Sequence, residues 1–262
     1  MARSHAHTQE MPSKDKSEFT PYFYSILGHI EDLRFRLFRI IIILAVSTSA
    51  CLFFSEYLIN VITNRFMGDE QPYLALLYPT EGFVVRLKIA FVSALFLSSP
   101  LWFWQVWGFI SPGLYKREKR VIIPVIIASS GAFIIGAAFG LWILPHAAQY
   151  FWSLSPADVT VSWSLGKYID FALRMLVAFA LVFELPLLIY AAAMIGAVTT
   201  KQLRTYRRHA YVGVLIAAAI ITPPDLFTQI ILALPLVVLY ELGVLMAYIA
   251  TKNKKLADNS VE

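Results

Sequence analysis

Along most of this chain apolar residues do not alternate with polar ones; they run on. Six stretches hold few charges: Leu37–Phe54, Phe83–Gly108, Val121–Leu144, Ile169–Ile195, Ala210–Ile221 and Leu226–Ala250. A helix crossing the hydrocarbon core of a bilayer needs roughly 20 apolar residues, and five of the six reach that length or come close. The fifth stops early, at Thr222-Pro223-Pro224. Alone it would read as a core or re-entrant helix. The charged residues before it and the long run after it nevertheless require a crossing, which a locally thinned bilayer accommodates. The pattern predicts an all-α polytopic membrane protein with six transmembrane helices.

Charge then orients the helices. Of the 22 Lys and Arg, 17 lie before the first run or in its first turn (Arg39), or in the connections after the second, fourth and sixth. The positive-inside rule places those segments, with both termini, in the cytoplasm. The opposite side carries two long loops and one tight turn. Loop Ser55–Thr80 has Tyr57, Leu58, Val61, Ile62 and Phe66 at helical spacing, suited to lying on the membrane surface. Loop Pro145–Gly166 is rich in Trp and Tyr, and Thr222-Pro223-Pro224-Asp225 is the turn. Met1 to Gly28 is polar and lacks the apolar centre of a signal peptide, so no cleavable leader is expected. The domain reading is a disordered tail over 1–28, one membrane domain over 29–250, and a second tail over 251–262.

Composition agrees. The chain is 58% hydrophobic with mean hydropathy +0.65, too much apolar surface for one soluble core of 262 residues. Its net charge of +5 follows the topology and does not imply nucleic acid. The lone cysteine, Cys51, rules out an internal disulfide and reads as a small packing residue. Phosphate-binding loops, HExxH and GxSxG are all missing. His29, His146 and His209 are too scattered for a metal site. No cofactor or metal is expected, and the chain reads as a receptor or carrier rather than an enzyme.

Candidate chemistry sits at a few polar positions. Ser99-Pro100-Leu101-Trp102-Phe103-Trp104-Gln105-Val106-Trp107-Gly108-Phe109-Ile110 ends a span in a Trp-rich belt, and the chain then breaks at Pro112-Gly113. There Glu118 stands as one carboxylate among Lys116, Arg117, Lys119 and Arg120, where a cationic ligand could be recognised. Glu184 lies deep in the fourth run beside a helix-kinking Pro186. Burying a carboxylate there costs at least ~2.5–3.5 kcal/mol, so it needs a polar cavity, a proton or a partner. One account is functional; the other is a protonated Glu bonded to a neighbouring helix. Gln229 and Glu241 in the sixth run could join helices or subunits. Arg174 is near the outer end of its helix, can snorkel, and reads as structural. Asp32 and Arg36 are four apart ahead of the first span. A local ion pair and an amphipathic interfacial helix explain them equally well.

Several of these segments, in this order and spacing, resemble the TatC family, the receptor subunit of the twin-arginine protein translocase. They are His29-to-Arg36, Pro79-Thr80-Glu81-Gly82-Phe83 with Lys88, Pro100-to-Arg120, and Phe183-Glu184-Leu185-Pro186. Further on come Arg204 with Arg207-Arg208, Thr222-to-Gln229, Leu234-Pro235 and Tyr240-Glu241-Leu242-Gly243. The resemblance implies a curved, glove-like bundle of six helices in the cell membrane of a prokaryote. It implies binding of the twin-arginine signal peptides of folded proteins, assembly with TatA- and TatB-type single-span subunits, and export driven by the proton-motive force. The family's two signal-peptide carboxylates fall on Glu118 and Asp32. The second is a departure, because the family usually has Glu there, so Glu31 is the alternative. Gln229 resembles a position of TatA contact, and the short fifth helix resembles the side that meets TatB. Two other classes stay open from the residues: a proton- or cation-coupled secondary transporter using Glu184, and a membrane scaffold without its own ligand. The transporter's inverted repeat of broken helices is not visible.

Overall fold

Nearly every described residue of this computed structural model is helical. The structure describes residues 16–64, 73–110, 122–155, 162–221 and 226–259. Helix α1 covers Lys16–Phe53, starting inside the stretch expected as a tail, and α2, Ser55–Asn64, follows it. Leu58 and Ile62 of α2 turn inward against the main core, while Tyr57 and Val61 stay exposed. That is the two-faced helix the spacing predicted. Phe66 lies outside the described residues.

The second apolar run does not form one straight helix. It divides into α3, Glu81–Leu97, and α4, Ser99–Ile110, bent by 60°. Pro100 is the physical reason, because it has no N–H for the carbonyl four residues back and its ring crowds that turn. A side chain repairs part of the break: the indole N–H of Trp102 donates to the Leu95 carbonyl at 3.0 Å.

Helix α5, Ile122–Ser153, runs on through Pro145. The first nine residues of the expected outer loop, Pro145 to Ser153, are therefore helix. The fourth run forms α6, Leu165–Phe183, and α7, Leu185–Met194, which meet at Glu184 with Pro186 in the first turn of α7. Helix α8, Thr200–Thr205, opens with a capping box: Gln202 N–H donates to the Thr199 hydroxyl, and Thr199 N–H to the Gln202 side chain. Then come α9, Arg207–Ile221, and α10, Leu226–Asn259, which extends into the stretch expected as a second tail.

Among the described residues, four helices are long and apolar enough to cross a membrane, or five if α3 and α4 count as one bent span. The expected fifth run is α9, only 15 residues long, or about 22 Å at 1.5 Å per residue.

The interior is built on close helix contacts. Helix α5 packs on α6, α7 on α10 and α1 on α3. Gly136 and Gly140 allow the first: a Cβ at Gly136 would sit 2.7 Å from the Ala180 Cα, and one at Gly140 3.1 Å from the Leu176 Cα. Small residues four apart let two membrane helices approach to backbone contact. Cys51 packs with Ala90 and Ala94 between α1 and α3, as a small core residue should. The two outer loops meet in a short parallel sheet, β1 (Tyr73–Ala75) beside β2 (Ser162–Ser164), with Tyr73 opposite Ser162. Many large apolar side chains face outward, among them Phe38, Ile42 and Val46 of α1. In a bilayer they meet lipid rather than water.

Candidate functional site

At one end of the bundle Asp32 and Arg36 form the i,i+4 ion pair, with Arg36 Nε donating to Asp32 Oδ2 at 2.9 Å. Arg36 also reaches across to α4, where Nη1 donates to the Gln105 carbonyl at 3.4 Å and the guanidinium lies against Gly108. Gly108 leaves room that a Cβ would fill. A cation beside the last carbonyls of a helix also suits the negative end of its dipole. Arg36 thus ties Asp32 to the tip of α4, and the Asp32 side chain remains 42% exposed. Its Oδ1 accepts no hydrogen bond from a described residue. Glu31 is exposed on the same turn. Glu118, with Lys116, Arg117, Lys119 and Arg120, lies outside the described residues. Its loop begins directly after Ile110, where α4 ends.

Glu184 is buried, with 5% of its surface exposed, and neither carboxylate oxygen has a direct hydrogen-bond partner among the described residues. The Ser129 hydroxyl of α5 is the polar group that faces it. Ser129 in turn accepts the indole N–H of Trp107 at 3.0 Å. Trp107 is therefore no membrane-surface anchor. It is buried with Phe103 against Phe133 and Val125, so only part of the expected Trp belt, such as exposed Trp104, faces outward. The run of aromatics signalled an interface, but α4 is bent by 60° from α3 and turns Phe103 and Trp107 inward.

Gln229 and Glu241 are engaged within the chain. Gln229 Nε2 donates to the Leu215 carbonyl at 3.0 Å, joining α10 to α9. Glu241 accepts from Arg207 Nη2 at 2.7 Å and from the Tyr211 hydroxyl at 2.6 Å. Both residues join helices, as the sequence allowed. Among the described residues no group of His, Cys, Asp and Glu is arranged to hold a metal ion.

The family model for the Sec-independent protein translocase protein (TatC) matches residues 28–235. The chain belongs to the TatC family. It is 38% identical over 239 residues to Helicobacter pylori Sec-independent protein translocase protein TatC, covering 91% of this chain and 93% of that one. Against the Escherichia coli K12 protein of the same name it is 31% identical over 223 residues, 84% of this chain and 86% of the relative. A crystal structure described as the twin-arginine translocase receptor TatC superposes with a TM-score of 0.76 at 32% identity. It covers 85% of this chain and 99% of that one. A second, of the receptor in DDM, gives 0.77 over 84% of this chain.

Among the described residues of this TatC chain, one with many hydrogen bonds was quoted by sequence reasoning without a role. Glu81, at the start of α3, accepts from the backbone N–H of Leu77 at 2.6 Å and of Gly166 at 2.6 Å. It also accepts from the Ser164 hydroxyl and the Tyr78 N–H. Gly166 has no side chain to hold Glu81 off; a Cβ there would sit 2.7 Å from Glu81 Oε1. Glu81 therefore ties the loop before α3 to the loop before α6, directly beside the β1–β2 sheet. The signal was an acid at a helix start next to a Gly-containing segment, but pairing across 85 residues is not visible locally. Lower down the same two helices, Lys88 Nζ donates to both oxygens of Asp170, at 2.7 and 2.9 Å.

Proposed function

We propose that this chain is the receptor subunit of a twin-arginine translocase in a prokaryotic cell membrane, with both termini in the cytoplasm. It binds the twin-arginine signal peptides of folded proteins and, with TatA- and TatB-type single-span subunits, exports them on the proton-motive force. It acts as a receptor, not as a catalyst. Family membership does not favour the transporter or scaffold alternatives.

The observation that carries the signal-peptide reading is the anchoring of Asp32. Arg36 holds it against the end of α4, from which the loop with Glu118 departs. Two carboxylates on separate elements suit two consecutive guanidiniums, because each carboxylate takes two parallel N–H donors from arginine and lysine cannot match that geometry. The surrounding Lys and Arg repel cationic segments lacking this fit. Each exposed pair contributes only ~0–1 kcal/mol, so capture also draws on apolar contact with the peptide's hydrophobic run. Glu184 serves a later step as an intramembrane polar site. Gln229 and Glu241, besides joining helices, stand on the face that meets the single-span subunits.

The test is copurification of the full chain, in membranes and in mild detergent, with a synthetic twin-arginine signal peptide. Retention of that peptide, and not of its twin-lysine form, supports the receptor reading. Equal retention of both forms, or of neither, overturns it.

A further inference from the structure

An open cavity of about 630 Å³ lies between α3 and α6, on the flank of the bundle below the Glu81 tie. Three of its residues are charged. Lys88 and Asp170 are paired through both carboxylate oxygens, which leaves the third N–H of the Lys88 ammonium to donate elsewhere. Arg174, one turn below Asp170, is exposed and has no ion pair with a described residue. It lies nine residues into α6, about 14 Å along the helix axis. A guanidinium at that depth is costly unless an anion meets it or it reaches the surface.

The remaining walls are apolar: Phe91 and Val92 of α3, and Leu173, Val177, Ala178 and Leu181 of α6. Both helices start from the end where the loops carrying β1 and β2 meet. On α3 Lys88 precedes Phe91 and Val92, and on α6 Asp170 and Arg174 precede Val177, Ala178 and Leu181, with buried Leu173 between the two charged residues. The cavity is therefore graded along the helices, charged toward that end and apolar beyond Arg174. That is the polarity of a phospholipid, phosphate outward and acyl chain inward.

We infer that this cavity is a phospholipid-binding site, in which Arg174 and the free N–H of Lys88 hold the phosphodiester of a glycerophospholipid while an acyl chain lies along Phe91, Val92, Val177 and Leu181. Charge complementarity favours this occupant over a protein helix. The cavity has two cations and one carboxylate already neutralised, and every glycerophospholipid supplies the anion. The site is independent of the signal-peptide contacts at Asp32.

Native mass spectrometry of the full chain released from nanodiscs of phosphatidylethanolamine and phosphatidylglycerol tests it. The wild type should keep one tightly held phospholipid. Arg174→Gln should reduce retention about tenfold, the loss expected for one charge-assisted contact. Arg174→Lys should keep most of it, and Lys167→Gln, outside the cavity, should change nothing. Equal retention by wild type and Arg174→Gln would overturn the site. So would displacement of the lipid by excess inorganic phosphate, since that makes it an anion site with no use for an acyl chain. Crosslinking of an Ala178→Cys variant to a single-span subunit with lipid absent would assign the groove to a protein helix and overturn the proposal as well.

Discussion

Asp32 uses one carboxylate oxygen on Arg36, and the other accepts no hydrogen bond from a described residue, which makes it an acid already aimed rather than a mobile one. Asp32→Asn should weaken twin-arginine peptide binding about tenfold, in line with one charged hydrogen bond, and Asp32→Glu should retain it. Peptide titration checks both, and a loss with Glu31→Gln but not with Asp32→Asn would move the role to Glu31. Glu184 is a different case, because its carboxyl is buried without a direct partner among the described residues. Glu184→Gln is nearly isosteric with a protonated acid. If the carboxylate meets a partner group during transport, the variant should bind signal peptide normally yet fail in export at matched membrane levels. Full export would leave Glu184 as a packing residue. Glu184 was legible in the sequence from its surroundings, whereas Asp32 was singled out only by the resemblance to the TatC family. The Ser129–Trp107 contact beside Glu184 was not legible, because the aromatic run that signals a membrane surface contains no mark of which ring turns inward.

Among the elements, the α5–α6 crossing depends on the absence of two side chains. Gly136→Leu should force α5 off α6 and cost about 1–3 kcal/mol, read as a lower unfolding midpoint in detergent, whereas Gly131→Leu should cost little because nothing lies within 4 Å of a Cβ there. The outer loops depend on Glu81 in a comparable way. Replacing it with Gln keeps the shape but weakens four accepted hydrogen bonds, so amide exchange at Leu77 and Gly166 should speed up while that at Leu176 does not. Unchanged protection at Leu77 and Gly166 would show that the β1–β2 sheet alone holds the loops. Helix existence was readable from apolar run length, and the Glu184 break from its neighbouring Pro186. The 60° bend after Leu97 was missed because Ser98-Ser99-Pro100 sits inside an apolar run long enough for one span. The continuation of α5 past Pro145 was missed for the opposite reason: a proline was taken as a stop, although α5 continues through it.

At the scale of the whole molecule, α9 is the element on which the expected six-span count depends. If its roughly 22 Å of helix crosses a hydrocarbon core of ~30 Å, the bilayer must thin or water must enter there. Charge segregation, visible directly in the sequence, predicts the orientation of the bundle, with the end where Arg36 fastens Asp32 to α4 toward the cytoplasm. The central claim is that this end reads paired arginines. Its most direct measurement is photocrosslinking of a twin-arginine signal peptide, with the probe beside its arginines, to the full chain in native membranes. The wild type should crosslink within the 111–121 loop. Glu118→Ala should abolish the product while membrane levels stay normal, and a twin-lysine peptide should give none on either protein. Undiminished crosslinking by a stably inserted Glu118→Ala variant would contradict the account.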